Sequence, residues 1–168
     1  MRVGRLIAAL SPPVIALAVI LSFGTGRVDH ESMRPTLESG DTVVFDRLLP
    51  AQRGDVVVVA DPSDWSTTSD ANLVKRVIAV GGDRVVCCEV GTLRLLVNGE
   101  PVDEDYVFDA ERPGGSIPFD LTVPDSSLWL VGDNRAASHD SRTELSSEGG
   151  GAVPRSAVLG VVRFVVPG

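Results

Sequence analysis

Two textures divide the chain. Residues 6–23, LIAALSPPVIALAVILSF, carry no charge, whereas beyond Glu31 short runs rich in Val, Ile and Leu alternate with Gly, Asp, Asn and Pro. The uncharged run, wound as a helix, would reach about 27 Å, close to the hydrocarbon thickness of a bilayer. It predicts one membrane span, kinked at Pro12 and Pro13, a distortion that a membrane helix accommodates. Arg2 and Arg5 precede the run, which places the N-terminus in the cytoplasm and everything after Arg27 on the far side. A cleaved secretory signal shares the basic start and apolar stretch, but SFGTGRVDH offers no clear A-x-A site, which favours an uncleaved anchor. Both readings put the rest of the chain outside the cytoplasm.

The later runs, DTVVFDRLL, DVVVVADP, LVKRVIAV, DRVVCCEV, LRLLVNG, SLWLVGDN and VLGVVRFVV, read as strands. Gly81-Gly82-Asp83 and Asn98-Gly99 supply turn signals between them. No ten-residue amphipathic helical pattern follows the apolar run. The expected fold is mainly β: a cytoplasmic stub and single transmembrane helix over residues 1–27, then an extracytoplasmic folded β-sheet or barrel over 28–168. Residues 61–72 and 109–118 lack apolar periodicity and read as surface loops. SSEGGG at 146–151 reads as a flexible loop inside the domain.

The formal net charge of -8 argues against a nucleic-acid partner, because phosphate binding needs clustered basic side chains. Of the 15 basic residues, Lys75 alone is a lysine. A coding bias toward arginine accounts for that imbalance by itself. Even so, only a lysine can lose its proton when buried and act as a base. The two cysteines, Cys87 and Cys88, are adjacent; a disulfide between them would be strained and a metal site would lack ligands, so they read as structural or incidental.

A serine hydroxyl needs a base to take its proton and a group to orient that base. A Ser-His-Asp triad has only His30 and His139 to draw on, and His139 lies directly beside Asp140, a poor placement for the usual His-carboxylate bond. A carboxylate pair has 23 acidic residues to choose from and no distinguishing spacing. A Ser-Lys pair needs a desolvated lysine, and Lys75 sits in the apolar stretch from Leu73 to Ile78. Alternation sends Leu73, Lys75 and Val77 to one face and Val74, Arg76 and Ile78 to the other. Two readings of Lys75 are open here: a partly desolvated base, or an edge-strand charge that blocks aggregation.

Ser32-Met33-Arg34-Pro35-Thr36-Leu37, followed by Ser39-Gly40-Asp41, resembles the nucleophile box of type I signal peptidases. Arg53-Gly54-Asp55-Val56-Val57-Val58-Val59 resembles that family's second strand box, and the segment from Val74 to Asp83 its lysine box. Gly132-Asp133-Asn134-Arg135, with Ser138, Asp140, Ser141 and Arg142, resembles the last box. The four come in the family's order from about Val28 to the C-terminus. The resemblance implies Ser32 as nucleophile, Lys75 as general base, Ser138 touching Lys75, an Asp140–Arg142 pair and Asp133 as supporting groups, and Val28 and Val74 at the substrate pocket. It implies a membrane-bound serine endopeptidase that removes signal peptides from exported preproteins after small residues, with membrane lipid as a partner and no cofactor or metal. One departure is His30, two residues before the nucleophile, where the family often has Ser or Gly. A serine there would donate to the oxyanion; His30 either contributes an imidazole or stands exposed without contact to substrate.

Two rival readings remain at this point. A self-cleaving Ser-Lys regulator would need a soluble chain with a DNA-binding partner domain, against which the apolar run and the acidic charge both count. An inactive membrane-tethered β domain that binds exported proteins is suggested only by His30.

Overall fold

The computed structural model describes residues 19–62, 65, 72–147 and 149–168. The Val-rich runs become strands because β-branched side chains suit a pleated, half-buried surface. In chain order they are β1 (Phe23–Arg27), β2 (Thr42–Asp46), β3 (Val56–Ala60), β4 (Asn72–Val80), β5 (Arg84–Cys87), β6 (Leu95–Val97), β7 (Glu100–Pro101), β8 (Phe119–Thr122), β9 (Ser127–Val131), β10 (Val153–Pro154) and β11 (Val158–Val166). Among the described residues the one helical element after β1 is a short 3-10 turn, Arg155–Ala157. The mainly β expectation holds.

A seven-stranded sheet runs β1-β2-β11-β3-β4-β9-β10, and a four-stranded sheet runs β7-β6-β5-β8. Every pairing is antiparallel. The β6–β7 hairpin turns on Asn98 and Gly99, at φ 56° and 88°, the paired left-handed residues of a tight hairpin turn.

At its centre, along β3, β4 and β9, the large sheet is buried on both faces. Along β9, Leu128 and Leu130 join Val57, Val59, Val77 and Val161 in one apolar cluster. Trp129 and Val131 point the other way, into a second cluster with Val85, Leu95 and Val97 of the smaller sheet. The register of β4 against β9 shifts between Val77 and Ala79, and beyond that bulge Ile78 and Ala79 both enter the second cluster. A third cluster gathers Val28, Met33, Leu37, Val43, Phe45 and Val58.

Residues 6–18 of the predicted span lie outside the described residues. Val19–Ser22 are helical and Phe23 already opens β1, which pairs with β2 over Phe23↔Asp46 to Arg27↔Thr42. Among the described residues no helix is long and apolar enough to cross a membrane. β1, FGTGR, was invisible in the sequence because it carries two glycines; its partner strand supplies the order that its own composition does not.

Cys87 and Cys88 are joined to each other by a disulfide. Their sulfurs pack against Gly114, where an added Cβ would meet both.

Candidate active site

Ser32 opens a turn that two buried side chains pin to the core. Met33 and Leu37 are each 1% exposed in the third cluster, and Leu37 N–H donates to Met33 C=O at 3.0 Å. A second turn, just past β9, grips Ser32 from the other side. Asn134 N–H donates to Ser32 C=O at 3.0 Å, and Asn134 Nδ2 donates to Glu31 C=O at 3.2 Å. Gly132 allows this approach: a Cβ there would run into both Ser138 Oγ and Ser32 C=O.

Lys75 reaches Ser32 from β4. That strand lies between β3 and β9, so the edge-strand reading of Lys75 is overturned. Leu73 and Val77 flank Lys75 on the predicted face, packing with Val57 and Val59 in the first cluster. Only 4% of Lys75 is exposed. Its Nζ donates to Ser32 Oγ at 3.0 Å and to Val74 C=O at 3.2 Å. Burial lowers its pKa from the ordinary 10.5 to about 8; the Asp140 charge opposes this and Arg142 reinforces it. An ammonium stripped of water is destabilised relative to the neutral amine, so the neutral form is far more populated near neutral pH than in an exposed lysine.

Asp140 is fully buried and accepts from Arg142 Nε at 2.8 Å, from Arg142 Nη2 at 2.8 Å and from Gly132 N–H at 3.0 Å. The structure thus brings Asp140 and Arg142 together in one buried ion pair. Ser138 Oγ is buried and has no hydrogen-bond partner among the described residues. It packs over Gly132 while Lys75 spends its bonds on Ser32 and Val74.

Asp133, also fully buried, accepts from Arg76 Nε at 2.8 Å, from Arg76 Nη2 at 2.6 Å and from Thr36 Oγ1 at 2.5 Å. Arg76 further donates to Gly54 C=O at 2.9 Å and to Thr36 Oγ1 at 3.2 Å. One bidentate pair thus ties the Ser32 turn, β4 and the turn after β9 together. Arg76 and Thr36 stood inside matched boxes, yet residue-type reasoning gave them no role, because neither is nucleophile nor base.

The cavity at the dyad, of about 260 Å3, is lined by Ser32, Lys75, His30, Leu73, Trp65 and His139, with Glu31 and Ala137. Val28 and Val74 are not among its lining residues; Val28 is buried in the third cluster and Val74 packs against it. His30 is exposed at the rim. His139 stacks on Trp65, with ring centroids 6.2 Å apart, and its Nε2 lies 2.6 Å from Glu144 Oε1. Ser32 Oγ takes its hydrogen bond from Lys75, which leaves no support for a histidine base.

This geometry can be set beside known proteins. The family described as signal peptidase, peptidase S26, matches residues 3–167 of the chain.

The chain belongs to that signal peptidase family.

Among curated signal peptidase relatives, a probable signal peptidase I of Mycobacterium leprae is 32% identical over 83% of this chain and 66% of its own length. Signal peptidase I S of Bacillus subtilis is 31% identical over 90% of this chain and 84% of its own length. The chain spans less than two thirds of the length of the mycobacterial relatives, 66% and 63%. A crystal structure of a signal peptidase I from Enterococcus faecalis superposes with a TM-score of 0.51 at 27% identity, covering 67% of this chain and 97% of that one. The signal peptidase fold is thus shared.

Proposed function

We propose that the protein is a membrane-anchored signal peptidase I, a serine endopeptidase that removes N-terminal signal peptides from exported preproteins with Ser32 as nucleophile and Lys75 as base. The observation that carries this reading is the 3.0 Å bond from Lys75 Nζ to Ser32 Oγ at a buried lysine whose pKa is lowered to about 8.

Neutral Lys75 accepts the Ser32 proton as Oγ attacks the carbonyl carbon of the scissile bond. The carbonyl oxygen becomes an oxyanion, to which the Ser32 backbone N–H donates. The ammonium then returns its proton to the leaving amine, the C–N bond breaks and an acyl-enzyme forms. Water, deprotonated by the same lysine, hydrolyses the ester and frees Ser32. Asp140 and Arg142 brace the site, Asp133 holds the nucleophile turn through Arg76, and Ser138, whose buried hydroxyl has no hydrogen-bond partner among the described residues, turns to orient the lysine as its proton moves. Val28 and Val74, in the apolar cluster beneath the Ser32 turn, restrict the residue before the cut to a small one such as Ala.

Location supplies part of the specificity in this reading. Val19, Ile20 and Leu21 are 53–67% exposed where the apolar run enters β1, and Leu48 is 77% exposed. Arg47, next to Leu48, bonds back through its N–H to Ser22 C=O and through its side chain to Leu21 C=O. This apolar corner suits a membrane surface, with lipid as partner and the catalytic domain on the extracytoplasmic side.

The test is incubation of the detergent-solubilised protein with a preprotein bearing an A-x-A site, with cleavage scored by mass spectrometry. A cut after the final Ala, absent in Ser32→Ala with the domain still folded, is expected. A folded wild type that leaves the preprotein intact would overturn the peptidase reading.

A further inference from the structure

The segment after β7 reaches both arginines that flank the turn after β9. Tyr106 lies with its ring 3.7 Å from Arg76 Cζ, and its hydroxyl donates to Glu104 Oε1 at 2.9 Å. Glu104 in turn holds Arg135 through both guanidinium nitrogens, with each side chain of that pair only 2% exposed. Arg135 Nε donates to Gly132 C=O at 3.0 Å, and its Nη1 donates to Pro113 C=O. Two residues past Tyr106, Phe108 N–H donates to Asp133 C=O at 3.1 Å. Burial, and then the Glu104 charge, raise the pKa of the Tyr106 hydroxyl, which keeps it a donor.

These contacts converge on Gly132–Arg135, the turn whose Asn134 N–H holds Ser32 C=O. A ring packed against a guanidinium at this distance restricts its rotation and adds cation–π attraction. That fixes the plane in which Arg76 grips Asp133. On the other arginine, Glu104 does for the Arg135–Gly132 contact what Tyr106 does for Arg76–Asp133. Neither residue lines the cavity at the dyad, and no charged or hydroxyl group of either reaches Ser32 or Lys75 by a hydrogen bond.

We propose that Tyr106 and Glu104 are positioning residues for the Ser32 reaction, acting through Arg76–Asp133 and Arg135–Gly132 to fix the turn that sets the Ser32 carbonyl and, with it, the line of attack. The proposal rests on the Ser32–Lys75 reading. Small displacements of reacting atoms cost rate steeply, whereas a contact that served only to hold the fold would lower the unfolding temperature and leave turnover per folded molecule intact.

The experiment compares the full-length wild type with Tyr106→Phe, Tyr106→Leu and Glu104→Gln on one A-x-A peptide. kcat and KM are measured at 20 °C, and thermal midpoints in the same buffer. Tyr106→Phe keeps the ring over Arg76 and loses only the bond to Glu104; Tyr106→Leu loses both. The expected result is an unchanged KM, kcat down about tenfold in Tyr106→Leu, and Tyr106→Phe lying between that variant and the wild type. Variants that are all folded at 20 °C and turn over at the wild-type kcat, whatever their midpoints, would overturn the positioning role while leaving the peptidase reading in place. A folded wild type that does not cleave would overturn both.

Discussion

The proposed role of Lys75 as the base makes a quantitative demand on the pH dependence of the proposed cleavage. At its ordinary pKa of 10.5 the amine would be neutral in about three molecules in ten thousand at pH 7; at about 8 it is neutral in about one in ten. Burial between β3 and β9 therefore enlarges the reactive population about 300-fold, equivalent to about 3 kcal/mol. The expected profile of kcat/KM on an A-x-A peptide rises tenfold per pH unit up to about pH 8 and then levels. Asp140 acts on Lys75 in the opposite sense to burial, so Asp140→Asn, where it folds, moves the inflection to lower pH. The same shift has a stability consequence. Lys75 is depressed in the folded chain, so between about pH 8 and pH 10.5 the unfolded chain binds the extra proton and stability rises with pH. Below about pH 8 both states hold the proton, and the folded state carries the full burial penalty. Lys75→Met, similar in volume and uncharged, should then be inactive and should unfold at a higher temperature than wild type at pH 7, with the gap closing by pH 10.5. An inflection near pH 6.5 that vanishes in His139→Ala would refute the lysine as base, as would a flat profile from pH 6 to 9.

Two further substitutions test the scaffold around the dyad. Arg76→Met leaves Asp133 fully buried without its bidentate partner and should cost about 3–5 kcal/mol of stability, read as a lowered midpoint in urea; a loss below 1 kcal/mol would show that the pair is not what joins β4 to the turn after β9. Gly132→Ala drives a methyl group into Ser138 Oγ and Ser32 C=O and should lower the thermal midpoint, as overpacking does, and also lower kcat about 100-fold in the molecules still folded; wild-type turnover would show that the turn relaxes without disturbing Ser32.

How much of this could be read from the residues differs by level. Most strands were legible: VVVV, LVKRVIAV and LWLV carry β-branched and aromatic content that no helix or loop needs. FGTGR, FDLT and Val153–Pro154 were not, since each is short or glycine- or polar-containing and is strand only because β2, β5 or β9 lies beside it. The sequence by itself determined the candidate chemistry, because one lysine among the basic residues limits the bases available and the ordered boxes around Ser32, Lys75 and Gly132–Arg142 name the family. The tertiary structure alone decided that Lys75 is interior rather than at an edge, since the strand neighbours of β4 are not encoded in β4. The resemblance paired Ser32 with Lys75 by role, and the structure supplied their contact across 43 residues; the structure alone joined Arg76 to Asp133 across 57 residues and left Ser138 without a bond to Lys75. Glu104 and Tyr106 had no signal of their own, for a carboxylate and a phenol in a polar stretch look like solvated surface until the chain folds two arginines against them. The physical reason is common to all of these: residue type determines what a side chain can do, but its desolvation and its partners determine whether it does so, and both are properties of distant strands brought together.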